Sequence, residues 1–264
     1  MKGIEALILG IIQGLTEFLP VSSSGHLEIG KAIFGIHSEQ SLTFTIIVHG
    51  ATVMSIIVVF WKDIMNLIKG LFTPSCNDEK NYIAKLLVSA IPVAIIGLFF
   101  KDEVESLFTG NLLWVGLALM VTTALLTITY FAKDKGKNIS FKDSFIIGIA
   151  QAVAVIPGIS RSGATIATGL MLGNDKKETA KFSFLMSLIP IVGANLVDIM
   201  QTDWSATSGD ISASSLIIGF IAAFLTGLFA VKFMLKIVEK SKLYYFAIYT
   251  FIVGAIAIIY ALTH

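Results

Sequence analysis

The chain has 264 residues, of which 55% are hydrophobic and only 14% are charged, and its formal net charge is +1. A soluble domain of average composition carries about 25% charged residues, and the mean hydropathy here is +0.84. These values exclude an ordinary soluble protein and predict a single membrane domain over residues 1–264. The near-neutral charge gives no sign of a nucleic-acid partner, and the single cysteine, Cys76, excludes an internal disulfide.

Six segments are apolar and long enough, or nearly so, to cross a membrane, which takes about 20 residues. They are 43–61, 82–100, 111–132, 182–199, 215–231 and 244–262. Two further apolar segments, 4–19 and 145–156, are shorter, and each runs into a turn rich in proline, serine and glycine. This pattern is typical of a re-entrant hairpin, whose irregular backbone must be covered by protein or line a water-filled cavity. We therefore predict an all-α membrane protein with six transmembrane helices and two re-entrant helical hairpins.

The two hairpin segments align without gaps at one fixed offset, which places Gln13 on Gln151. Seven of the 19 positions from Ile8 to His26 are then identical. At the same offset the Ser-x-Ser-Gly sequence at 22–25 falls on the same sequence at 160–163. Similarity at a single offset predicts an internal duplication, with halves at about 1–132 and 139–264.

The lysines predict how the two halves are oriented. Each half contains three crossings, so the second half must enter the membrane from the opposite side. Lysines cluster in four connecting regions, at 62–85, 133–142, 176–181 and 236–242, whereas 101–105 is net acidic and 201–214 has no lysine. The positive-inside rule makes the lysine-rich regions cytoplasmic. The first hairpin then lies on the external side and the second on the cytoplasmic side, and an inverted repeat of this kind places a polar site where the broken helices meet.

Arg161 is the only arginine in a chain with 18 lysines, and it lies in the turn Pro-Gly-Ile-Ser-Arg-Ser-Gly at 157–163. A guanidinium keeps its charge when desolvated and binds phosphate or carboxylate through two parallel hydrogen bonds. Charged residues at membrane depth mark functional sites by default. A structural ion pair is the alternative interpretation of Arg161.

The two copies differ where we expect the chemistry. The first hairpin carries Glu17, Ser23 and His26, and the second carries Arg161 at the place of Ser23. Together these four side chains supply a candidate base, a nucleophile and an anion clamp, and we predict that they are catalytic. The predicted phosphate-binding residues are Ser22, Ser24, Gly25, Ser160, Arg161, Ser162 and Gly163, whose hydroxyl groups and helix-start N–H groups suit an oxyanion. The predicted pocket-lining residues are Gln13, His49 and Gln151.

The segments 13–26 and 157–165 closely resemble the two signatures of the bacterial undecaprenyl-diphosphatases, the bacitracin-resistance protein family. The resemblance covers the full length of the chain. It implies a multi-pass enzyme of the bacterial plasma membrane that hydrolyses undecaprenyl diphosphate to undecaprenyl phosphate and inorganic phosphate. This reaction recycles the lipid carrier for peptidoglycan synthesis and confers resistance to bacitracin.

The resemblance also implies roles for individual residues. Gln13 and Glu17 occupy the family's [E/Q]-x-x-x-E motif, Ser23 and His26 are catalytic, and Arg161 binds phosphate. Some family members have glutamate where this chain has Gln13, so Glu17 carries the role of base or metal ligand alone. The family is associated with divalent cations, and Glu17 is the only candidate ligand for Mg²⁺ or Ca²⁺. The attacking group stays open between Ser23 and His26, with Glu17 as the base or as the partner that orients His26, and direct attack by water is a further route.

Two alternative interpretations come from other classes of protein. Inverted repeats with broken helices are also typical of secondary transporters, so a transporter or flippase for a lipid phosphate or another anion is an alternative that needs no nucleophile. The type 2 phosphatidic acid phosphatases have Pro-Ser-Gly-His and Ser-Arg-x5-His motifs. Here Ser23 stands at the place of the proline and Ala167 at the place of the last histidine.

The expected partners are a polyprenyl diphosphate lipid and the bilayer, with the active site facing the external side. The sequence leaves the oligomeric state open, and a homodimer is one option.

Overall fold

The computed structural model describes residues 1–35, 38–74, 77–100, 103–104, 111–133, 135–201 and 211–263. Within these ranges the chain is all-helical. Its helices are α1 (Gly3–Thr16), α2 (Ser23–Phe34), α3 (Ser38–Val59), α4 (Trp61–Leu71), α5 (Asp78–Phe99), α6 (Leu112–Ile128), α7 (Phe141–Val153), α8 (Arg161–Met171), α9 (Lys176–Gln201), α10 (Ala213–Glu239) and α11 (Tyr244–Thr263). A short 3₁₀ helix, Thr129–Phe131, extends α6.

Five of the described helices are long and apolar enough to cross a membrane: α5, α6, α9, α10 and α11. A sixth span results if α3 and α4 are counted together, although this pair is bent by 76° at Phe60. The six predicted segments fall on these helices, so the prediction of a helical membrane protein is confirmed. The bend at Phe60 ends the segment predicted at 43–61, and α4 leaves in a new direction.

Each of the two shorter apolar segments forms a helix, a turn and a second helix, as α1 with α2 and as α7 with α8. The second helix of each pair begins with the same cap. Ser22 Oγ accepts a hydrogen bond from the N–H of Gly25 (3.3 Å), and Ser160 Oγ accepts one from the N–H of Gly163 (3.1 Å). The repeated Ser-x-Ser-Gly sequence is therefore a helix N-cap in both copies.

Glycines let the first helix of each pair approach a long helix closely. A Cβ atom added to Gly10 of α1 would lie 2.5 Å from the carbonyl oxygen of Gly219 in α10. A Cβ atom added to Gly148 of α7 would lie 2.4 Å from the carbonyl oxygen of Ser89 in α5. Small residues at such contacts allow the close backbone packing that holds helices together in a bilayer. Each pair is thereby held by a helix from the other half of the chain.

A large cluster of buried side chains lies beside the turn of the first pair. Phe18 packs edge-on against Phe184 of α9, with 5.8 Å between ring centroids. Ile166 of α8 and Met186 of α9 belong to the same fully buried cluster. This cluster fixes the position of Glu17, the neighbour of Phe18, against α8 and α9.

Candidate active site

The two turns lie in contact, as the predicted meeting of the two hairpins requires. The Ser162 hydroxyl group donates to the carbonyl oxygen of Leu19 (3.1 Å), and the N–H of Gly158 donates to Ser24 Oγ (3.4 Å). A Cβ atom on Gly163 would lie 3.3 Å from Pro20. Side chains from the two halves of the chain therefore share one site.

Helix α6 supports the second turn. Gly158 has a φ of +96°, and a Cβ atom there would lie 2.8 Å from the Val115 carbonyl oxygen, so this position requires glycine. The Thr122 hydroxyl group donates to the Gly158 carbonyl oxygen (3.2 Å) and accepts from the N–H of Ser160 (3.0 Å). These bonds fix the backbone from which Arg161 extends.

The first turn contains a strained residue. Ser22 has a φ of 69° and a ψ of 98°, outside the regions that residues other than glycine usually adopt. Such a conformation costs about 1–3 kcal/mol and is typical of ligand-binding and catalytic segments. The turn places Ser23, the first residue of α2, next to Glu17.

The carboxylate of Glu17 is the centre of the site, and its side chain is only 1% exposed. Its Oε2 atom accepts hydrogen bonds from Ser23 Oγ (2.6 Å) and Gln13 Nε2 (2.9 Å). Its Oε1 atom forms an ion pair with Arg161 Nη2, and His49 Nε2 lies 3.9 Å from Oε2. A buried carboxylate needs such partners, because an unpaired charge would be far too costly in this environment.

Ser23 and Glu17 have the geometry of a nucleophile and its base. A distance of 2.6 Å between Ser23 Oγ and Glu17 Oε2 lies within the range for proton transfer. Arg161 approaches the other carboxylate oxygen, and its side chain is 24% exposed. The cation is therefore the more accessible member of the pair and can contact a ligand that enters the site.

His26 contacts residues other than Glu17. Its Nδ1 atom lies 2.8 Å from the Ser22 carbonyl oxygen, and its Nε2 atom lies 2.8 Å from the hydroxyl oxygen of Tyr249 in α11. These contacts do not match the alternative in which Glu17 orients His26, and the alternative in which Glu17 is the base stays a prediction. The reason for the mismatch is helical geometry: His26 follows Ser22 by four residues, so the ring bonds back to that carbonyl group rather than to Glu17.

A small cavity lies behind the Glu17–Arg161 ion pair. It is lined by Glu17, Phe18, Arg161, Ser162, Ser183, Phe184 and Ser187. Its volume of ≈ 10 Å³ is about what one water molecule requires. Ser183 and Ser187 of α9 were not among the predicted residues, although two serines four positions apart in an apolar span indicate a shared polar face.

The predicted phosphate-binding groups already bond to each other. The N–H groups of Gly25 and Gly163 donate to the two capping serines, and the hydroxyl groups of Ser22 and Ser24 lie 3.3 Å apart. The Ser160 and Ser162 hydroxyl groups are the same distance apart. Phosphate binding by these residues stays a prediction, and it requires a ligand to replace some of these internal bonds.

Gln151 occupies the same place in the second copy as Gln13 does in the first. The residue is 1% exposed, and neither amide atom has a hydrogen-bond partner among the described residues. Val155 stands where the first copy has Glu17, so Gln151 has no carboxylate partner four residues later. Its predicted place at the pocket stays a prediction.

The residues around Glu17 fit a divalent cation only in part. The described part of the chain has no cluster of three or more His, Cys, Asp or Glu residues. Gln13 Oε1 is buried and lacks a partner among the described residues, so it is a second protein oxygen beside Glu17. Mg²⁺ and Ca²⁺ usually take six or more oxygen ligands, so the phosphate groups of a substrate and water would have to complete such a site.

Comparison with known proteins shows the family to which this chain belongs. The family model described as bacitracin resistance protein BacA matches residues 6–256. The undecaprenyl-diphosphatase of Bacteroides fragilis is 57% identical over 261 residues, which cover 98% of each chain. That of Parabacteroides distasonis is 56% identical over 260 residues, or 98% of each chain. That of Alkaliphilus metalliredigens is 39% identical over 276 residues and covers 99% of this chain and 100% of the relative. The chain therefore belongs to the BacA family of bacitracin resistance proteins.

Proposed function

We propose that this membrane protein hydrolyses undecaprenyl diphosphate to undecaprenyl phosphate and inorganic phosphate, the activity for which its relatives are named. The observation that carries the proposal is the contact between Ser23 Oγ and Glu17 Oε2, with Arg161 on the other carboxylate oxygen. The product is the free lipid carrier for peptidoglycan synthesis, and its recycling accounts for bacitracin resistance.

In the first step Ser23 Oγ attacks the terminal phosphorus atom while Glu17 accepts the hydroxyl proton. The bond from that phosphorus to the bridging oxygen breaks, and the prenyl monophosphate leaves with the bridging oxygen and its electron pair. Glu17 then passes this proton to the departing monophosphate and is again a carboxylate. In the second step water attacks the phosphoserine while Glu17 accepts one of its protons and delivers it to Ser23 Oγ. The bond between phosphorus and Oγ breaks, which regenerates Ser23 and releases inorganic phosphate. Both carboxylate functions follow from the 2.6 Å contact.

Arg161 neutralises the charge on the non-bridging oxygens, which is the main task of a catalyst for phosphoryl transfer. In the structure its guanidinium pairs with Glu17, and the cavity behind the pair has room for about one water molecule. Arg161 must therefore exchange Glu17 for the phosphate when the substrate enters. That exchange frees the carboxylate to act as a base. A divalent cation, held by Glu17, Gln13 and the diphosphate, would supply further neutralising charge.

We further propose the finer architecture, six transmembrane helices and two re-entrant hairpins in an inverted repeat. The exchanged packing of α1 on α10 and of α7 on α5 supports it. So do Gly116 and Gly254, which fall on each other when the two copies are aligned at the offset of the repeat. A Cβ atom on Gly116 would lie 2.9 Å from the Gly254 carbonyl oxygen, and one on Gly254 would lie 3.1 Å from that of Gly116.

Labelling of single cysteines tests this topology. In a Cys76→Ser background, cysteines at Glu103 and Asp203 should react with an impermeant thiol reagent in intact cells, because both loops are predicted to be external. Cysteines at Lys80 and Lys137 should react only after the membrane is permeabilised. Equal labelling of the Asp203 and Lys137 positions in intact cells contradicts the inverted repeat.

Sealed vesicles test the side on which the site opens. The first hairpin supplies Glu17, Ser23 and His26, and its predicted side is external. Right-side-out vesicles from bacterial plasma membrane should therefore hydrolyse a water-soluble prenyl diphosphate added outside. Detergent-opened vesicles give the total activity as a control. Phosphate release by inverted vesicles alone would place the site on the cytoplasmic side.

The activity itself is tested with purified protein in detergent. A hydrolase releases inorganic phosphate from a prenyl diphosphate with no membrane present, whereas a transporter moves the intact lipid and releases none. An absence of phosphate release by folded, purified protein, with and without Mg²⁺ or Ca²⁺, would overturn the proposed function.

A further inference from the structure

We propose that Tyr249 is a further substrate-binding residue, whose hydroxyl group, backed by His26, donates a hydrogen bond to the phosphate that carries the prenyl chain. The inference rests on the proposed function, since it concerns the second phosphate group of the same substrate. It starts from one contact between α2 and α11, the 2.8 Å distance between His26 Nε2 and the Tyr249 hydroxyl oxygen.

The other nitrogen of His26 decides which way this hydrogen bond runs. Nδ1 lies 2.8 Å from the Ser22 carbonyl oxygen, which can only accept, so Nδ1 carries a proton. In the neutral ring Nε2 is therefore an acceptor, and Tyr249 donates to it. The two rings also stack, with centroids 5.6 Å apart and planes 11° from parallel. Tyr249 is thus held by both its ring and its hydroxyl group.

His26 and Tyr249 are free to bind the substrate, because Glu17 already serves as the base for Ser23. Ser23 Oγ already has a carboxylate acceptor at 2.6 Å, so the attack on the terminal phosphorus does not need His26 as its base. His26 lies three residues after Ser23 on α2, which places the two side chains on one face of the helix, about 5–6 Å apart at Cβ. A diphosphate whose terminal phosphorus is at Ser23 has its second phosphate within reach of the pair.

The exposure of Tyr249 and Glu17 indicates how the substrate is oriented in the site. Tyr249 is 44% exposed, whereas the Glu17 side chain is 1% exposed. The prenyl chain stays in the lipid, so the phosphate attached to it lies at the more exposed end of the site. When a phosphate binds there, the Tyr249 O–H turns from His26 Nε2 to a phosphate oxygen, and the stacked His26 ring keeps Tyr249 in place.

The test is the variant Tyr249→Phe, which keeps the stacked ring and removes the hydroxyl group. With farnesyl diphosphate as substrate we expect KM to rise about 10- to 100-fold, the range for losing a hydrogen bond to a charged group, with kcat within about threefold of wild type. Inhibition by inorganic phosphate should keep its wild-type Ki, because a single phosphate occupies only the Ser23–Arg161 end. Tyr245→Phe, one turn earlier in α11 and packed against Tyr244 with 4.1 Å between ring centroids, is the matched control and should leave both constants unchanged.

A second measurement reports on the His26 contact without any turnover. Diethyl pyrocarbonate acylates an unprotonated imidazole nitrogen, so the modification of His26, followed by peptide mass spectrometry, should be faster in Tyr249→Phe than in wild type. An unchanged KM, an equal rise in KM and Ki, or an unchanged rate of His26 modification would each overturn the inference. Failure of the wild type to release phosphate would instead refute the proposed function, and the modification rate would still test the contact.

Discussion

Replacing Ser23 with alanine is expected to lower the rate of phosphate release by roughly 10⁴–10⁶-fold, the range for removing one member of a serine-based catalytic unit. The reason is that Ser23 supplies the hydroxyl group that donates to the Glu17 carboxylate, at 2.6 Å. Alanine is a strong helix former, so α2 should still begin at this position. The measurement is the rate of phosphate release from farnesyl diphosphate by purified protein.

A suitable control is Ser144→Ala, which removes another buried serine hydroxyl group, one that donates to the Phe141 carbonyl oxygen of α7 (2.8 Å). Its activity should remain close to that of wild type. If Ser23→Ala keeps more than about a tenth of the activity, Ser23 is not the nucleophile, and attack by His26 or by water takes its place.

The second large effect is expected for Arg161→Lys. The variant keeps the positive charge but loses the planar fork that binds two phosphate oxygens at once. By analogy with the loss of one oxyanion-hole donor, kcat should fall about 10²–10³-fold, or about 2.7–4 kcal/mol. The measurement is kcat and KM with farnesyl diphosphate.

The reciprocal exchange at a second ion pair, which includes neither Glu17 nor Arg161, serves as the control. Lys181 pairs with Glu178 (3.2 Å) and Asp63 (3.5 Å), and Lys181→Arg should change the rate less than twofold. Turnover by Arg161→Lys within about threefold of wild type would show that Arg161 is a structural ion pair with Glu17.

The sequence was sufficient to predict most of the helices and the polar residues at the centre of the site. Hydrophobic length identified the spans, and the single offset between the two copies identified the two helix-turn-helix segments. The repeat also singled out Glu17, Ser23 and Arg161, because they are the positions at which two otherwise similar copies differ. The structure brings these three side chains together.

The residues that the sequence did not predict come from ordinary apolar helices. Thr122, Ser183, Ser187 and Tyr249 lie in α6, α9 and α11, far from the two motifs in sequence. Their roles depend on which face of each helix lies against the two hairpin turns. Close packing of small residues, such as Gly116 against Gly254, decides the orientation of each helix. The contacts of His26 could not be predicted for the same reason: Nδ1 lies next to the Ser22 carbonyl oxygen one helical turn earlier, and α11 supplies Tyr249 from 223 residues away.

The most direct test of the proposed mechanism is to trap the covalent intermediate. Purified protein would be mixed with farnesyl diphosphate labelled at the terminal phosphate, quenched within one turnover at neutral pH, and mapped by peptide mass spectrometry. We expect an acid-stable phosphate on Ser23 that is absent from Ser23→Ala. An acid-labile phosphate on His26, or turnover with no phosphorylated residue in a time course that resolves the first cycle, would contradict it.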